Sequence, residues 1–288
     1  MKASDLGAIR LFTAGLAAVS VAVSLAAIGL AGGPRNALIV QGLSAVLALG
    51  LALLVGRFWR RARWRLWVLM AACALAVVLT LMNGVSLEGA KRWLALGPVQ
   101  LHTASMVLPF AAWAFAKGFD DRRVAPIAGL VALLLLYQHD AASSLAFALA
   151  LAAATLVERP RQLTPWACAV IGGLLAYAAW VEPDTLPAVP YVEGLLAHTM
   201  KANPALGLVT GVLMISLPAP FLAVAQARPE RRAEALALAA LWTGWIAGNL
   251  FGNYPAPVLG YGAAPILAWG LSLGLALGDS VNQDPPAS

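Results

Sequence analysis

Apolar stretches, each about as long as a membrane-spanning helix, follow one another along almost the whole of this 288-residue chain, and that succession limits what it can fold into. A helix that crosses a bilayer needs about 20 mostly apolar residues. Charged residues make up 11% of the chain, against about 25% in an ordinary soluble domain. No stretch is left over for a soluble catalytic domain, so any chemistry must be built from helix ends and short loops. The expected fold is all-α: one transmembrane domain over residues 1–288, with about ten spans near 9–31, 37–56, 66–83, 102–117, 124–138, 141–157, 165–180, 204–226, 234–250 and 261–278. The first apolar core, from about Leu11 to Leu30, exceeds the roughly 7 to 15 residues of a cleaved signal and is read as a retained anchor. Cys73 and Cys168 lie inside separate apolar stretches and read as small core residues.

The direction of the spans follows from the basic residues, because cytoplasmic loops accumulate Lys and Arg. With ten spans and both termini inside, the inner segments hold fifteen basic residues and the outer ones only Arg35, Lys91, Arg92 and Lys201. Nine spans would set Arg159 and Arg161 on a different side from "RPERR". The polar break Gln138-His139-Asp140, in the middle of the long apolar run 131–156, is therefore expected to be a tight outer turn, with Asp140 near enough to water to stay ionised. An ionisable group at the hydrocarbon centre would cost about 2.5–3.5 kcal/mol on insertion scales. The net charge of +6 is then largely topological, and "RFWRRARWR" (57–65) suits anionic inner-leaflet lipid. A nucleic-acid partner is not expected, since no basic soluble module is present.

Under this topology His102, His139 and His198 all fall at outer helix ends, as do Glu88, Asp140, Glu182, Asp184 and Glu193. Two outer segments are long, 83–100 and 181–204. In the first, Lys91 and Arg92 are placed to meet phosphate, Arg through paired donors and Lys as a point charge, or to snorkel to lipid headgroups. In the second, "YVEGLLAHTM" suits a short amphipathic helix with Glu193 near its start, where a carboxylate is also simply stabilising. No pair of ligands has His-x₃-His or Cys-x₂-Cys spacing, so no cofactor is expected, with a divalent cation left open. Nucleotide-binding and hydrolase motifs are absent.

Three stretches, in order, resemble the SEDS family (shape, elongation, division and sporulation). "EGAKRWLALGPVQL" (88–101) is similar to that family's G-A-x-R-W-[IL]-x-L-G segment at Gly89, Ala90, Arg92, Trp93, Leu94, Leu96 and Gly97. "YQHDAASSLAFAL" (137–149) is similar to its Q-P-D-L-G-T/S turn at Gln138, Asp140 and Ser143. "NYPAPVLGYGAAPIL" (253–267) resembles its P-x-P-[LF]-[IV]-S-Y-G-G-S through Pro255, Pro257, Tyr261 and Gly262.

The resemblance implies a SEDS-like bundle in a bacterial inner membrane. It also implies a peptidoglycan glycosyltransferase that polymerises the undecaprenyl-linked precursor lipid II at the outer face, beside membrane lipid and with a single-pass transpeptidase partner. It casts Glu193 and Asp140 as the catalytic carboxylates, Glu193 as base and Asp140 as orienting group. Lys91, Arg92, Gln138, His139, His102 and Tyr261 become substrate contacts, with Arg92 on the diphosphate.

The chain departs from the pattern at several places. The family's Q-P-S-E is here "HTAS" (102–105), and Ser-Tyr-Gly-Gly-Ser is "GYGAA". The outer loop before helix eight, which in the family carries an essential aspartate in an Asp-Phe context, is cut to about two dozen residues without Asp-Phe. Glu193 is the nearest carboxylate to that place. A catalytically silent relative that binds the lipid precursor or scaffolds a division complex is the alternative reading, and a precursor transporter a third.

Overall fold

The computed structural model describes residues 3–59, 65–97, 99–182 and 186–278. Its helices are α1 (Ala3–Leu30), α2 (Arg35–Leu54), α3 (Leu66–Asn83), α4 (Thr103–Lys117), α5 (Val124–Tyr137), α6 (Ala141–Glu158), α7 (Leu163–Val181), α8 (Leu195–Ala202), α9 (Pro204–Ser216), α10 (Ala219–Ala227), α11 (Arg232–Phe251) and α12 (Ala263–Leu277). Six stretches have the length and hydropathy of a span: Leu6–Leu30, Arg35–Arg57, Leu66–Asn83, Ala141–Glu158, Leu163–Val181 and Pro204–Ala227. The chain is thus a multi-pass membrane protein with a helical bundle, as expected. Helices α4, α11 and α12 bury most of their residues. Other helices rather than lipid cover them, so they need neither the length nor the hydropathy of a lipid-facing span. On the outside of the bundle the large side chains are apolar, for example Leu11, Val46, Leu163 and Tyr177.

Without a strong hydrophobic drive between helices in lipid, association depends on close packing, which small residues permit. Helix α11 lies on α6 through Gly244 and Gly248, one turn apart. A Cβ on Gly244 would stand 2.3 Å from Ala146 Cα, and one on Gly248 2.6 Å from Ala142 Cβ. Helix α12 meets α2 the same way, since a Cβ on Gly270 would be 2.4 Å from Ala48 O and one on Gly274 2.7 Å from Ala52 O. The apolar run 204–226 is one span with a break, because Pro218 and Pro220 interrupt the helical hydrogen-bond ladder. Trp269 Nε1 from α12 donates to the Leu217 carbonyl at that break, 3.2 Å away. Both cysteines are buried and free.

Side-chain contacts sort the chain into two ends. At one end Arg10 reaches Leu277 O, Arg228 and Arg231 both reach Gly278 O, and Lys117 stands 3.9 Å from Glu234. The cations there face the carbonyl end of α12, where positive charge is favoured. Four of the fifteen expected inner basic residues, Arg10, Lys117, Arg228 and Arg231, make these contacts; Lys2, Arg60, Arg61 and Arg63 lie outside the described residues, and with them most of the 57–65 patch. Asp184 of the outer acidic set also lies outside them.

The opposite end holds a feature that hydropathy did not reveal. Between α3 and α4 lies a three-stranded antiparallel sheet, β1 (Val85–Leu87), β2 (Ala90–Leu96) and β3 (Val99–His102), in the order β1-β2-β3. Glu88 (φ 47°) and Gly89 (φ 89°) turn β1 into β2 with Leu87 opposite Ala90. Positive φ at both central residues is what a two-residue hairpin requires. The segment expected to lie along the headgroups is folded as a meander.

Candidate functional site at the sheet end of the bundle

The α5–α6 corner is a tight reversal, as the basic-residue argument requires. Helix α5 ends at Tyr137, α6 begins at Ala141, and His139 makes the turn with φ +54°. The proline that the family pattern has at this place is locked near about −65° and could not take that angle. Asp140 is the N-cap of α6. Its Oδ1 accepts from the Ser143 N–H at 3.0 Å, where the first turn of a helix leaves donors unpaired.

One expectation about Asp140 is corrected. It is 1% exposed, so water does not keep it charged. Burial acts to raise its pKa, but the His102 imidazole, the Arg92 guanidinium and the Ser143 N–H outweigh burial and hold it below the usual carboxylate range. His102 Nε2 stands 3.0 Å from Oδ2.

His102 comes from the end of β3 and is the N-cap of α4. Its Nδ1 accepts from the Ser105 N–H at 3.2 Å and lies 2.8 Å from Ser105 Oγ. A nitrogen that accepts carries no proton in the neutral ring, which sets the ring's proton on Nε2, toward Asp140. The Trp93 ring meets the His102 ring edge-on at 5.9 Å.

Arg92, expected to be open to phosphate, is instead 4% exposed. Strand β2 directs its guanidinium inward, where Nη2 donates to His139 O and the group stacks over Tyr254 at 5.3 Å. The sheet thus clamps the corner through its backbone carbonyl. Lys91, on the other side of the strand, donates to Leu81 O at 3.2 Å in the last turn of α3. Gln138 is wholly enclosed, and its amide nitrogen and oxygen bond no described protein atom. The His139 ring is half exposed, 3.9 Å from Glu182.

The second long segment docks at the same end by way of the loop 252–262. Tyr254 is the joint: its hydroxyl accepts from Ala141 N at 3.3 Å, its ring lies under Arg92 and stacks on Trp180. Asn249 donates to Tyr254 O at 2.6 Å and to Glu193 O at 3.1 Å. Tyr261 N donates to Tyr191 O, with the two rings 6.0 Å apart, and Ala256 N donates to Val192 O. Glu193 sits just before α8 rather than inside it, and its Oε2 accepts from Val189 N at 2.9 Å, closing the turn 189–193. His198 Nδ1 lies 3.0 Å from Gly194 O, within the same short helix. The corner, the sheet, the 252–262 loop and the 186–194 segment therefore converge, with Asp140 beside His102, Arg92 on the adjacent His139 carbonyl, and Glu193 joined to them through Asn249 and Tyr254. Among the described residues no group of three His, Cys, Asp or Glu is placed to hold a metal ion.

Sequence reasoning overlooked the clasp beneath the 252–262 loop. Gln41, in α2 and 1% exposed, donates from Nε2 to Ser24 Oγ (2.7 Å), Val258 O (2.9 Å) and Gly260 O (3.1 Å), and accepts from Gly262 N (3.3 Å). Ser24 Oγ donates to Leu259 O at 2.6 Å. A signal for both was present, because polar residues inside apolar spans are costly unless partnered. Tyr254, Asn249 and Ser105 had no such signal, being ordinary residues at helix ends and in loops.

No family model and no curated protein matches the chain. Solved structures do. The Thermus thermophilus rod shape determining protein RodA is 25% identical with a TM-score of 0.65, covering 92% of this chain and 94% of that one. Its aspartate-to-alanine mutant is 24% identical with a TM-score of 0.67 over the same shares. A chain from a peptidoglycan synthase complex that coordinates polymerization and crosslinking is 22% identical with a TM-score of 0.69, covering 92% and 95%. The bundle expected from the three motifs is the fold of this chain.

Proposed function

We propose that this SEDS-like membrane protein is a compact cell-wall glycosyltransferase acting on a polyprenyl-diphosphate-linked sugar such as lipid II. The likeness to RodA over nearly the full length of both chains supports the class. The single observation that carries the site is Asp140, a buried carboxylate kept charged by His102 and Arg92 where the two long segments meet the corner. Basic residues crowd the opposite end, which the positive-inside rule assigns to the cytoplasm. The site then faces outward from a bacterial inner membrane, where a lipid-linked sugar presents itself. The likeness to a chain of a peptidoglycan synthase complex supports a single-pass transpeptidase partner. No nucleic-acid partner is proposed.

In this reading Asp140 lies buried beneath the acceptor sugar and orients it through the groups above, and the Arg92 guanidinium under the corner supplies positive charge for the departing diphosphate. His139, His102 and Tyr261 border the substrate, with Gln138 enclosed behind them and Lys91 turned to Leu81 O on the other side of the strand. The sequence assigns the base to Glu193, whose carboxylate also closes the 189–193 turn.

The test is polymerisation of lipid II by the purified protein in nanodiscs. Wild type is expected to make glycan chains and Asp140→Asn to lose them. Glu193→Gln decides the base: loss of about a hundredfold or more places the proton transfer there, and equal product moves it elsewhere. A second reading, a silent relative that binds the precursor, is favoured by the shortened loop. Absence of polymer from the wild type together with saturable lipid II binding would establish it.

A further inference from the structure

We infer that Ser105, His102 and Asp140 form a proton relay that removes the acceptor hydroxyl's proton, a device built from two of the four positions at which this chain departs from the family's Q-P-S-E. The inference rests on the glycosyltransferase reading above, with the relay in place of Glu193 as the base and Asp140 acting through the His102 ring. Where the pattern has Gln and Glu, this sequence has His102 and Ser105, three residues apart. That spacing at the start of α4 brings the N-cap side chain onto the third residue of the helix, so the local fold builds the contact: His102 Nδ1 lies 2.8 Å from Ser105 Oγ. The other ring nitrogen stands 3.0 Å from Asp140 Oδ2.

The order hydroxyl, imidazole, carboxylate is the one that activates a hydroxyl in unrelated folds, and it is recognised by geometry rather than by sequence position. Asp140 and Ser105 are both buried, and the His102 ring between them is the part that reaches the rim, its side chain 18% exposed.

The step balances as follows. The acceptor sugar's oxygen bonds to the anomeric carbon of the donor while the bond from that carbon to the diphosphate oxygen breaks, its electron pair leaving with the diphosphate. The acceptor's hydroxyl proton passes to Ser105 Oγ, and the proton of Ser105 passes to His102 Nδ1. The resulting imidazolium lies beside the Asp140 carboxylate and is stabilised by it. Ser105 touches the reacting hydroxyl and is catalytic in this scheme; Asp140 positions the ring.

The experiment measures lipid II polymerisation by wild type, Ser105→Ala and His102→Gln in nanodiscs, with thermal midpoints as a check on folding. Glutamine restores the family's residue and its hydrogen bonds but cannot accept a proton. Both variants are expected to lower kcat about a hundredfold, the low end of general-base effects, with KM little changed. If the wild type polymerises and either variant keeps near-wild-type kcat, the relay is overturned and the glycosyltransferase reading stands. If the wild type makes no polymer, that reading falls and the relay with it. Should His102→Gln fail to fold, Ser105→Ala, which removes one oxygen, decides alone.

Discussion

Replacing Gln41 isolates the clasp that holds the 252–262 loop over the site. Val258 is buried and sits at φ +63°, a conformation that β-branched residues rarely adopt. Such strain costs about 1–3 kcal/mol and persists only where the surroundings over-determine it. Here the surroundings are Gln41 Nε2 on the Val258 and Gly260 carbonyls and Gln41 Oε1 on Gly262 N. Gln41→Ala strands the two carbonyls in an enclosed place. A buried polar group left without a partner costs about 1–3 kcal/mol, so the pair amounts to about 2–6 kcal/mol, partly offset as Val258 relaxes. Gln41→Glu keeps the size and shape of the side chain but replaces the donating amide nitrogen with oxygen, so it is expected to destabilise at least as much as alanine. In a thermal melt of protein in nanodiscs, both variants should fall by at least about 2 °C, taking about 2 °C per kcal/mol for a chain of this size. The reasoning is refuted if Gln41→Glu melts with the wild type, for then the amide N–H groups hold nothing.

Two other perturbations test the packing and the charge. Gly244→Leu drives a side chain into the backbone of Ala146, 2.3 Å from where its Cβ would be, and should cost about 1–3 kcal/mol from overpacking; the same thermal melt reads it, and an unchanged midpoint means that α6 and α11 do not touch there. Asp140 has a pKa held below its unfolded value of about 3.9, so its contribution to stability is complete above that value and is lost as pH falls through the folded pKa. Unfolding midpoints taken from pH 6 downward should show acid lability beginning below about pH 4 in the wild type. Asp140→Asn should lower the neutral-pH midpoint, since breaking a buried ion pair costs about 3–5 kcal/mol, and should flatten that acid limb; a parallel limb in the variant means that another group titrates.

The membrane class, the approximate spans and the turn at 138–140 were legible in the sequence because hydropathy and the sorting of basic residues are local or additive properties. Helix α3 and the α5–α6 reversal stand where the apolar stretches and charges place them. The meander of 85–102 was not legible, because its turn depends on backbone angles at Glu88 and Gly89 that composition does not display. Nor was the break in 204–227, although two prolines marked it.

Residue types at the candidate site could be read from the motifs, but their physical state could not. Asp140 was expected to owe its charge to water, and it owes it to His102 and Arg92, residues 38 and 48 positions before it in the chain. Arg92 was expected to be open and is folded under the corner. By itself the sequence determined that this chain is a bundle of membrane helices with acidic, basic and imidazole groups at one end, because the cost of placing apolar and charged groups in lipid is paid residue by residue. Which of those groups touch, which are hidden, and which serine meets which histidine was decided only when packing brought distant segments together, since a buried charge takes its stability from neighbours that no local stretch of sequence contains.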